Sequence, residues 1–318
     1  MCEVKVTLIK YVKTKPWYVA LFLALSFFAL LGFELWKDPT HERKSYYVDQ
    51  LLAKPPRHLN IQAIKKVRDS IAGRDHFRFA VLGDNRYNLK QLKKTLDMIA
   101  QDKPDFVIHT GDLTSDGEYY QYMNLLDTIE GFKIPLIFIL GNHDINNQGV
   151  ACFLHIFGPV SFYFDINKYR FIFINNTSEN AKHGFFRLPE DVVLNQSFAV
   201  GLDDYQMNGL EKLVQGSDHN FIILHVPPPV DIYRFHSFIK NGDNFIALMK
   251  RYASRIALVF SGHIHGYGEV EQDGVTYLVT AGAGARLFEP SKGIINKYNY
   301  VLIDVTGAKI SHRVQFVD

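Results

Sequence analysis

Short apolar runs alternate with longer stretches of helical spacing through the first half of the chain. Residues 77–82 and 106–109 are apolar and short enough for buried strands, as is 136–140. Between them, 89–100 repeats apolar positions at Leu92, Leu96 and Ile99, and 119–129 puts Tyr122, Leu125, Leu126 and Ile129 on one side. The order β-α-β-α-β predicts parallel strands with helices on the sheet faces.

The second half is richer in strands. Residues 162–166 and 169–174 read as a hairpin around Asn167-Lys168, and 205–214 as a helix started by Asp203 or Asp204. Apolar runs at 221–224 and 256–260 each lead into a histidine. Residues 267–272 and 275–280 pair across Asp273-Gly274, a strong hairpin signal, and 298–305 with 309–316 forms a closing hairpin. The expected fold is α/β: a four-layer α/β/β/α sandwich of two packed mixed sheets, with polar motifs at one edge.

One stretch departs from this pattern. Residues 17–33, WYVALFLALSFFALLGF, carry no charge, and with Leu35 and Trp36 the run is about long enough to span a bilayer. Trp17, Tyr18 and Trp36 bracket it as interfacial aromatics do. The long n-region with Lys5, Lys10, Lys13 and Lys15, and the lack of an Ala-x-Ala site, argue against cleavage. The expectation is a basic tail over 1–16, a single-pass transmembrane helix over 17–36, a juxtamembrane connector over 37–75 and a globular domain over 76–318. The four lysines of the tail favour a globular part outside the cytoplasm, although Lys37, Arg43 and Lys44 make the bias slight.

Composition narrows the functional classes. The chain has 318 residues, 47% hydrophobic, with a formal net charge of +2. That balance, without a dense Lys/Arg stripe, gives no strong nucleic-acid signal; Lys90, Lys93 and Lys94 read as a solvated helix face. Two cysteines, Cys2 and Cys152, give no disulfide framework and no metal-ligand spacing. Cys152 sits among apolar neighbours and reads as a packed core residue.

Chemistry concentrates where the apolar runs end. The motifs are Gly83-Asp84-Asn85-Arg86, Gly111-Asp112, Gly141-Asn142-His143-Asp144, His225 before Pro227-Pro228-Pro229, and Gly262-His263-Ile264-His265. Carboxyl ends of strands are where α/β sheets place ligand sites. Together these residues supply carboxylate, amide and imidazole ligands for a pair of metal ions. The i, i+2 spacing of His263 and His265 puts both imidazoles on one side if the segment is extended.

In this order the motifs resemble the calcineurin-like metallophosphoesterase superfamily, over about residues 77–280. The family pattern is Asp-x-His, Gly-Asp, Gly-Asn-His-Asp/Glu, a lone His and Gly-His-x-His. This chain departs at one place, with Arg86 where the first motif should carry His. The resemblance implies that Asp112 bridges two divalent cations (Mn²⁺, Fe²⁺, Zn²⁺ or Mg²⁺), that Asp84 and His265 hold the first, and that Asn142, His225 and His263 hold the second. It implies a water shared by the cations that loses its proton near neutral pH and attacks phosphorus in line. His143 would stabilise or protonate the leaving-group oxygen, and Asp144 would orient its ring.

Arg86 leaves three readings open. A guanidinium cannot ligate a metal, so it contacts a substrate phosphate bidentately, pairs with a structural carboxylate, or marks a weakened first metal site. His109 reads as a satisfied core histidine, and His155, His183, His219 and His236 have no evident partners. The Gly-rich run 281–286 reads equally as an anion-approaching turn or simple hairpin geometry. Phe185, Phe186, Tyr233, Phe235 and Phe238 read as an apolar lid, a membrane contact or ordinary packing. The resulting expectation is a membrane-anchored phosphohydrolase with a phosphate-ester substrate, its catalytic domain extracytoplasmic. The alternatives are a catalytically weak phosphate-binding module and a lipid-linked phosphate or pyrophosphate hydrolase. Monoester or diester preference and oligomeric state are not legible.

Overall fold

Two sheets face each other, and the alternation of side chains along their strands explains why. The computed structural model describes residues 47–179, 186–187, 199–280, 282–288 and 292–318. Val48–Asp318 is one compact unit. Its strands are β1 (His76–Leu82), β2 (Phe106–His109), β3 (Leu136–Phe138), β4 (Phe162–Ile166), β5 (Tyr169–Ile174), β6 (Thr177–Glu179), β7 (Phe186–Arg187) and β8 (Ala199–Val200). They continue as β9 (His219–Leu224), β10 (Ile256–Ser261), β11 (Tyr267–Gln272), β12 (Val275–Thr280), β13 (Ile294–Ile295), β14 (Asn299–Thr306) and β15 (Lys309–Phe316). One sheet has the order β15-β14-β1-β2-β3 and the other β13-β11-β12-β10-β9-β5-β4-β7, with β6-β8 a separate pair. In the first, β1, β2 and β3 are parallel as expected, and the closing hairpin adds β14 antiparallel to β1.

Period-two alternation sorts the apolar residues into layers. Phe77, Phe79 and Val81 of β1, Phe171 and Phe173 of β5, Phe221 and Ile223 of β9, and Phe260 of β10 fill the interior between the sheets. Phe79 is central there. It stacks on Phe106 at 5.1 Å and meets Phe171 and Phe221 edge-on at 5.3 and 5.2 Å, linking one sheet to the other. The opposite faces point outward into two further cores. Ala80, Leu82 and Leu302 pack beneath helices α2 (Leu89–Asp102), α3 (Tyr119–Ile129) and α4 (Gly149–Ile156). Ile172, Ile222 and Val259 pack beneath α5 (Asp204–Gln215) and α6 (Gly242–Arg251). This is the expected α/β/β/α layering.

Local chemistry sets the helix ends. Asn88 caps α2 by accepting from the Gln91 N–H, and Pro104 follows the left-handed Lys103 at its far end. Of the two candidate starts for α5, Asp203 is the N-cap, in a reciprocal capping box with Gln206. Helices α4 and α6 were not expected. The former is apolar on every face, so it lacks helical periodicity.

Helix α1 (Leu59–Ile71) lies in the stretch read as a connector, and its Ala63, Ile64, Val67 and Ile71 are buried in the inter-sheet core. Its Asn60 does more. The buried side-chain amide donates to the Phe138 carbonyl at 2.8 Å and accepts the Phe138 N–H at 2.9 Å. One side chain thereby covers the open edge of β3, the strand that delivers the Asn142-His143 motif.

The membrane assignment is corrected. Among the described residues no helix is long and apolar enough to cross a membrane. The longest is α2, whose 14 residues span roughly 21 Å, short of the roughly 30 Å hydrocarbon core. The stretch 17–36 lies outside the described residues, and the structure gives the single-pass, extracytoplasmic placement no support.

Asn60→Ala removes both partners of a buried peptide group on an edge strand. Urea unfolding is expected to show a loss of about 2–4 kcal/mol, with the slope unchanged. A loss under about 0.5 kcal/mol would show that the clamp does not hold β3.

Candidate metal centre

The five motifs follow the carboxyl ends of β1, β2 and β3 of one sheet and β9 and β10 of the other. Backbone bonds stitch the loops together. Asp84 N donates to Gly111 O at 3.0 Å, Arg86 N to Asp112 O at 2.9 Å, and Gly262 N to His225 O at 2.9 Å. The approach is so close that a Cβ at Gly141 would collide with Asp112, and one at Gly262 with the Asp84 carboxylate.

Asp84, Asp112 and His225 are buried, with ligand atoms within 4.8 Å of one another. Asp84 Oδ1 accepts the His263 N–H and Asp112 Oδ1 the His143 N–H, both at 2.9 Å. The second oxygen of each carboxylate, Oδ2, is buried with no hydrogen-bond partner. Asn142 Oδ1 faces His225 Nε2 at 2.9 Å and His263 Nδ1 at 2.8 Å. His225 Nδ1 lies 2.7 Å from the Thr110 carbonyl and His265 Nδ1 2.7 Å from that of Arg286. Each carbonyl requires a proton on Nδ1, which leaves Nε2 bare and turned toward Asp112 (3.4 Å) or Asp84 (3.8 Å).

Electrostatics give this set one plain meaning. Burial, reinforced by the neighbouring Asp112 charge, pushes the Asp84 carboxyl well above its ordinary value, and burial also raises Asp112. Burial drives His225 and His263 down to about 3 and lowers His265. The imidazoles are thus held neutral, the form that ligates a metal, so no imidazolium balances the two carboxylates. Two orphaned carboxylate oxygens beside bare imidazole nitrogens fit divalent cations.

The backbone is bent to make this possible. Asp84, Asp112, His263 and His265 all have left-handed φ, at 59°, 56°, 71° and 53°. Each costs on the order of 1 kcal/mol. The expectation of an extended segment at His263 and His265 is corrected here. Ile264 N donates back to Gly262 O, and the two imidazoles reach the site from a tight turn.

Asp144 also differs from expectation. It does not touch the His143 ring. Its carboxylate accepts from Thr114 N and Oγ1 (both 2.8 Å), Leu113 N (3.1 Å) and Gly141 N (2.9 Å). It clamps the Asp112 loop to the Asn142 loop. Burial, then Asp112, push it up to about 7, against the pull of those donors. The His143 ring is instead held by the Ser115 carbonyl, 2.8 Å from Nδ1, and by Arg86 Nη2, 2.9 Å from the same nitrogen. Only one contact can be a hydrogen bond in a given tautomer, since the carbonyl needs a proton on Nδ1 and the guanidinium a lone pair.

Arg86 is locked at its backbone, N to Asp112 O and O to Ser115 Oγ (2.7 Å). Among the described residues it makes no ion pair, and its Nε is buried without a partner. A structural salt bridge is therefore not its role there.

The remaining candidates separate cleanly. His109 accepts the Gly111 N–H on Nδ1 (3.3 Å), but its Nε2 is buried and unpartnered, so it is not the fully satisfied core histidine expected. Burial pushes the Cys152 thiol up to about 12, consistent with packing. Tyr233 and Phe238 are core residues and Phe235 is exposed. Phe185 and His183, with the Phe186 side chain, lie outside the described residues. His236 is where the sequence reading fell short. Its ring lies 5.7 Å from that of Phe288, which covers His265 at 4.4 Å, both nearly parallel. No local spacing signals this, because 236, 265 and 288 are far apart in the chain.

The class of protein follows from the two-sheet sandwich with its carboxylate and imidazole cluster at one edge. Residues 77–267 match the calcineurin-like phosphoesterase family, and the chain belongs to it. It is a hydrolase acting on phosphoric esters. Among curated relatives, a probable cyclic nucleotide phosphodiesterase of Vesicomyosocius okutanii is 26% identical over 61% of this chain and 78% of its own length. The serine/threonine-protein phosphatase CPPED1 of Danio rerio is 27% identical over 69% of this chain and 70% of its own. A dimetal phosphatase structure from Danio rerio shares the fold, with TM-score 0.59 and 12% identity over 76% of this chain and 96% of that one.

A buried acid with a raised folded pKa contributes full stability below the unfolded carboxyl value, about 4. That stability is lost as pH rises through the folded value. Metal-stripped protein at pH 7.5 therefore bears the cost of burying the Asp84 carboxyl. Asp84→Asn is expected to melt higher than stripped wild type there, by roughly 2–4 °C per kcal/mol relieved, with the gap closing as pH falls. Added Mn²⁺ should raise the wild-type Tm by more than the variant's, which keeps Asp112, Asn142, His225 and His263 for the second cation. A variant that melts lower at pH 7.5 contradicts this account.

Proposed function

We propose that this chain hydrolyses phosphomonoester or phosphodiester bonds with two divalent cations. Asp84, Asp112 and His265 would hold one, and Asp112, Asn142, His225 and His263 the other. The observation that carries the reading is the pair of buried carboxylates, each with one unpartnered oxygen, that lie beside imidazoles kept neutral. When bound, the cations supply an activated water and neutralise charge on the phosphoryl oxygens. The chain's own residues do the rest. Asn142 and the three histidines, fixed by backbone carbonyls and turns, set the direction from which phosphate is presented.

With its Nδ1–H donated to the Ser115 carbonyl, His143 would supply a proton from Nε2 to the leaving-group oxygen and be left as the neutral ring. Arg86 would hold a phosphoryl oxygen, its remaining N–H groups being free of carboxylates and its backbone fixed. It sits where the family pattern has an imidazole ligand, so the first cation has one protein ligand fewer and the guanidinium supplies positive charge instead.

Turnover of 4-nitrophenyl phosphate and bis(4-nitrophenyl) phosphate by metal-stripped full-length protein, with Mn²⁺, Mg²⁺, Fe²⁺ or Zn²⁺ restored, tests the reading. Activity should need metal and vanish in Asp112→Asn. His143→Ala should lower kcat by about 10²–10⁴-fold with bound metal unchanged. Arg86→Ala should weaken substrate binding, and Arg86→Lys should restore it incompletely, since an ammonium lacks the fork. Absence of turnover on either ester with two metals bound would favour a phosphate-binding module.

A further inference from the structure

The loop after His225 carries a feature that metal chemistry does not use. It is anchored twice. Tyr233 is buried, its hydroxyl donating to the Tyr277 carbonyl at 3.3 Å. Phe238 is buried against Phe245, and its N–H donates to Pro227 O at 3.1 Å. Between and beside these anchors, Phe235 is 98% exposed and Ile239 91% exposed. Two large apolar side chains are thus held in water by a segment fixed on both sides, at a standing cost that folding does not require.

The turn Arg234–His236 that carries Phe235 also reaches the metal centre. His236, next to Phe235, stacks on Phe288, and Phe288 lies on His265. His236 is also near enough to His263 for their charges to interact. A line of three rings therefore runs from a candidate metal ligand to His236, the residue beside Phe235. Phe288 is itself partly exposed, and its free surface, with Phe235 and Ile239, is what remains for a ligand.

We propose that this surface is a specificity site for an apolar alcohol moiety of the phosphate ester, seated on Phe235, Ile239 and the edge of Phe288 while its phosphate lies at the metal centre. This rests on the hydrolase reading for the position of the phosphate. It adds a substrate class: small phosphate esters with an alkyl or aryl group. His236 acts as a positioning residue, bracing Phe288 over His265.

The test compares ethyl with octyl phosphate and ethyl with octyl 4-nitrophenyl phosphate, pairs in which the leaving group is chemically constant. Full-length wild type should favour the octyl member by about tenfold or more in kcat/KM, carried by KM. Phe235→Ser with Ile239→Ser should abolish that preference and leave the ethyl rate unchanged. Calorimetry with octylphosphonate and ethylphosphonate reads the same preference without turnover, and the double variant should lose it there too. Octyl binding without hydrolysis of any ester would overturn the hydrolase reading and leave the apolar site standing. Equal hydrolysis of ethyl and octyl esters, or an octyl preference that survives in the double variant, would overturn the apolar site and leave the hydrolase. A double variant that changes only sedimentation would assign the patch to contact between copies of the chain, and this proposal would fail.

Discussion

Asp84 and Asp112 lie buried side by side, and among the described residues no Lys or Arg pairs with them, although the nearby Arg86 charge favours both carboxylates. Each spends one oxygen on a backbone N–H and leaves the other bare. In a low-dielectric interior such a pair is unfavourable unless something positive sits between the carboxylates. The surrounding features all serve that condition. The carbonyls of Thr110 and Arg286 fix the histidine tautomers so that bare nitrogens face the acids. Burial keeps those rings neutral, so they can ligate but cannot substitute for a cation. Four ligand residues accept left-handed backbone to bring their side chains together.

Holding that arrangement requires rigid loops, which come from both sheets. The two sheets are joined beneath by an aromatic cluster around Phe79 and above by bonds between the motif loops. Asp144 is the strongest of those ties, taking four donors from the second and third motifs. Asn60 acts at greater distance, closing the edge of the strand that feeds Asn142 and His143. A substitution at either position would disturb metal geometry without touching a metal.

The replacement of an imidazole by Arg86 changes the site's balance. On the proposed reading the first cation has one protein ligand fewer and the substrate region gains a permanent charge. That charge touches His143 at the nitrogen also approached by Ser115, so proton placement on His143 and guanidinium position are linked. At His265, His236 and Phe288 form an aromatic support. The site thus has a cationic flank and an apolar flank, a shape suited to an ester with an anionic centre and an apolar substituent.

Much of this was legible in the chain. The order of apolar runs determined which strands are parallel, because β-α-β connections leave few other arrangements. The Asp273-Gly274 hairpin was fixed by its turn chemistry, and the five motifs were recognisable because each follows a strand. The candidate ligand types were written in Asp84, Asp112, Asn142, His225, His263 and His265, since such side chains can serve a metal, and the structure brings Asp84, Asp112 and His225 together. Tertiary structure decided the rest. Asp144 could be read as an orienter of His143 because it follows it directly, but its partners at Leu113, Thr114 and Gly141 are set by loop packing. The bend at His263 and His265 depends on a turn that spacing does not encode. Helix α4 was hidden because apolar residues all round it erase periodicity, and the His236–Phe288–His265 stack joins residues that no local pattern links. Local sequence fixed the chemistry each position can offer, whereas which oxygen stays bare and which ring faces which neighbour depends on contacts between distant segments.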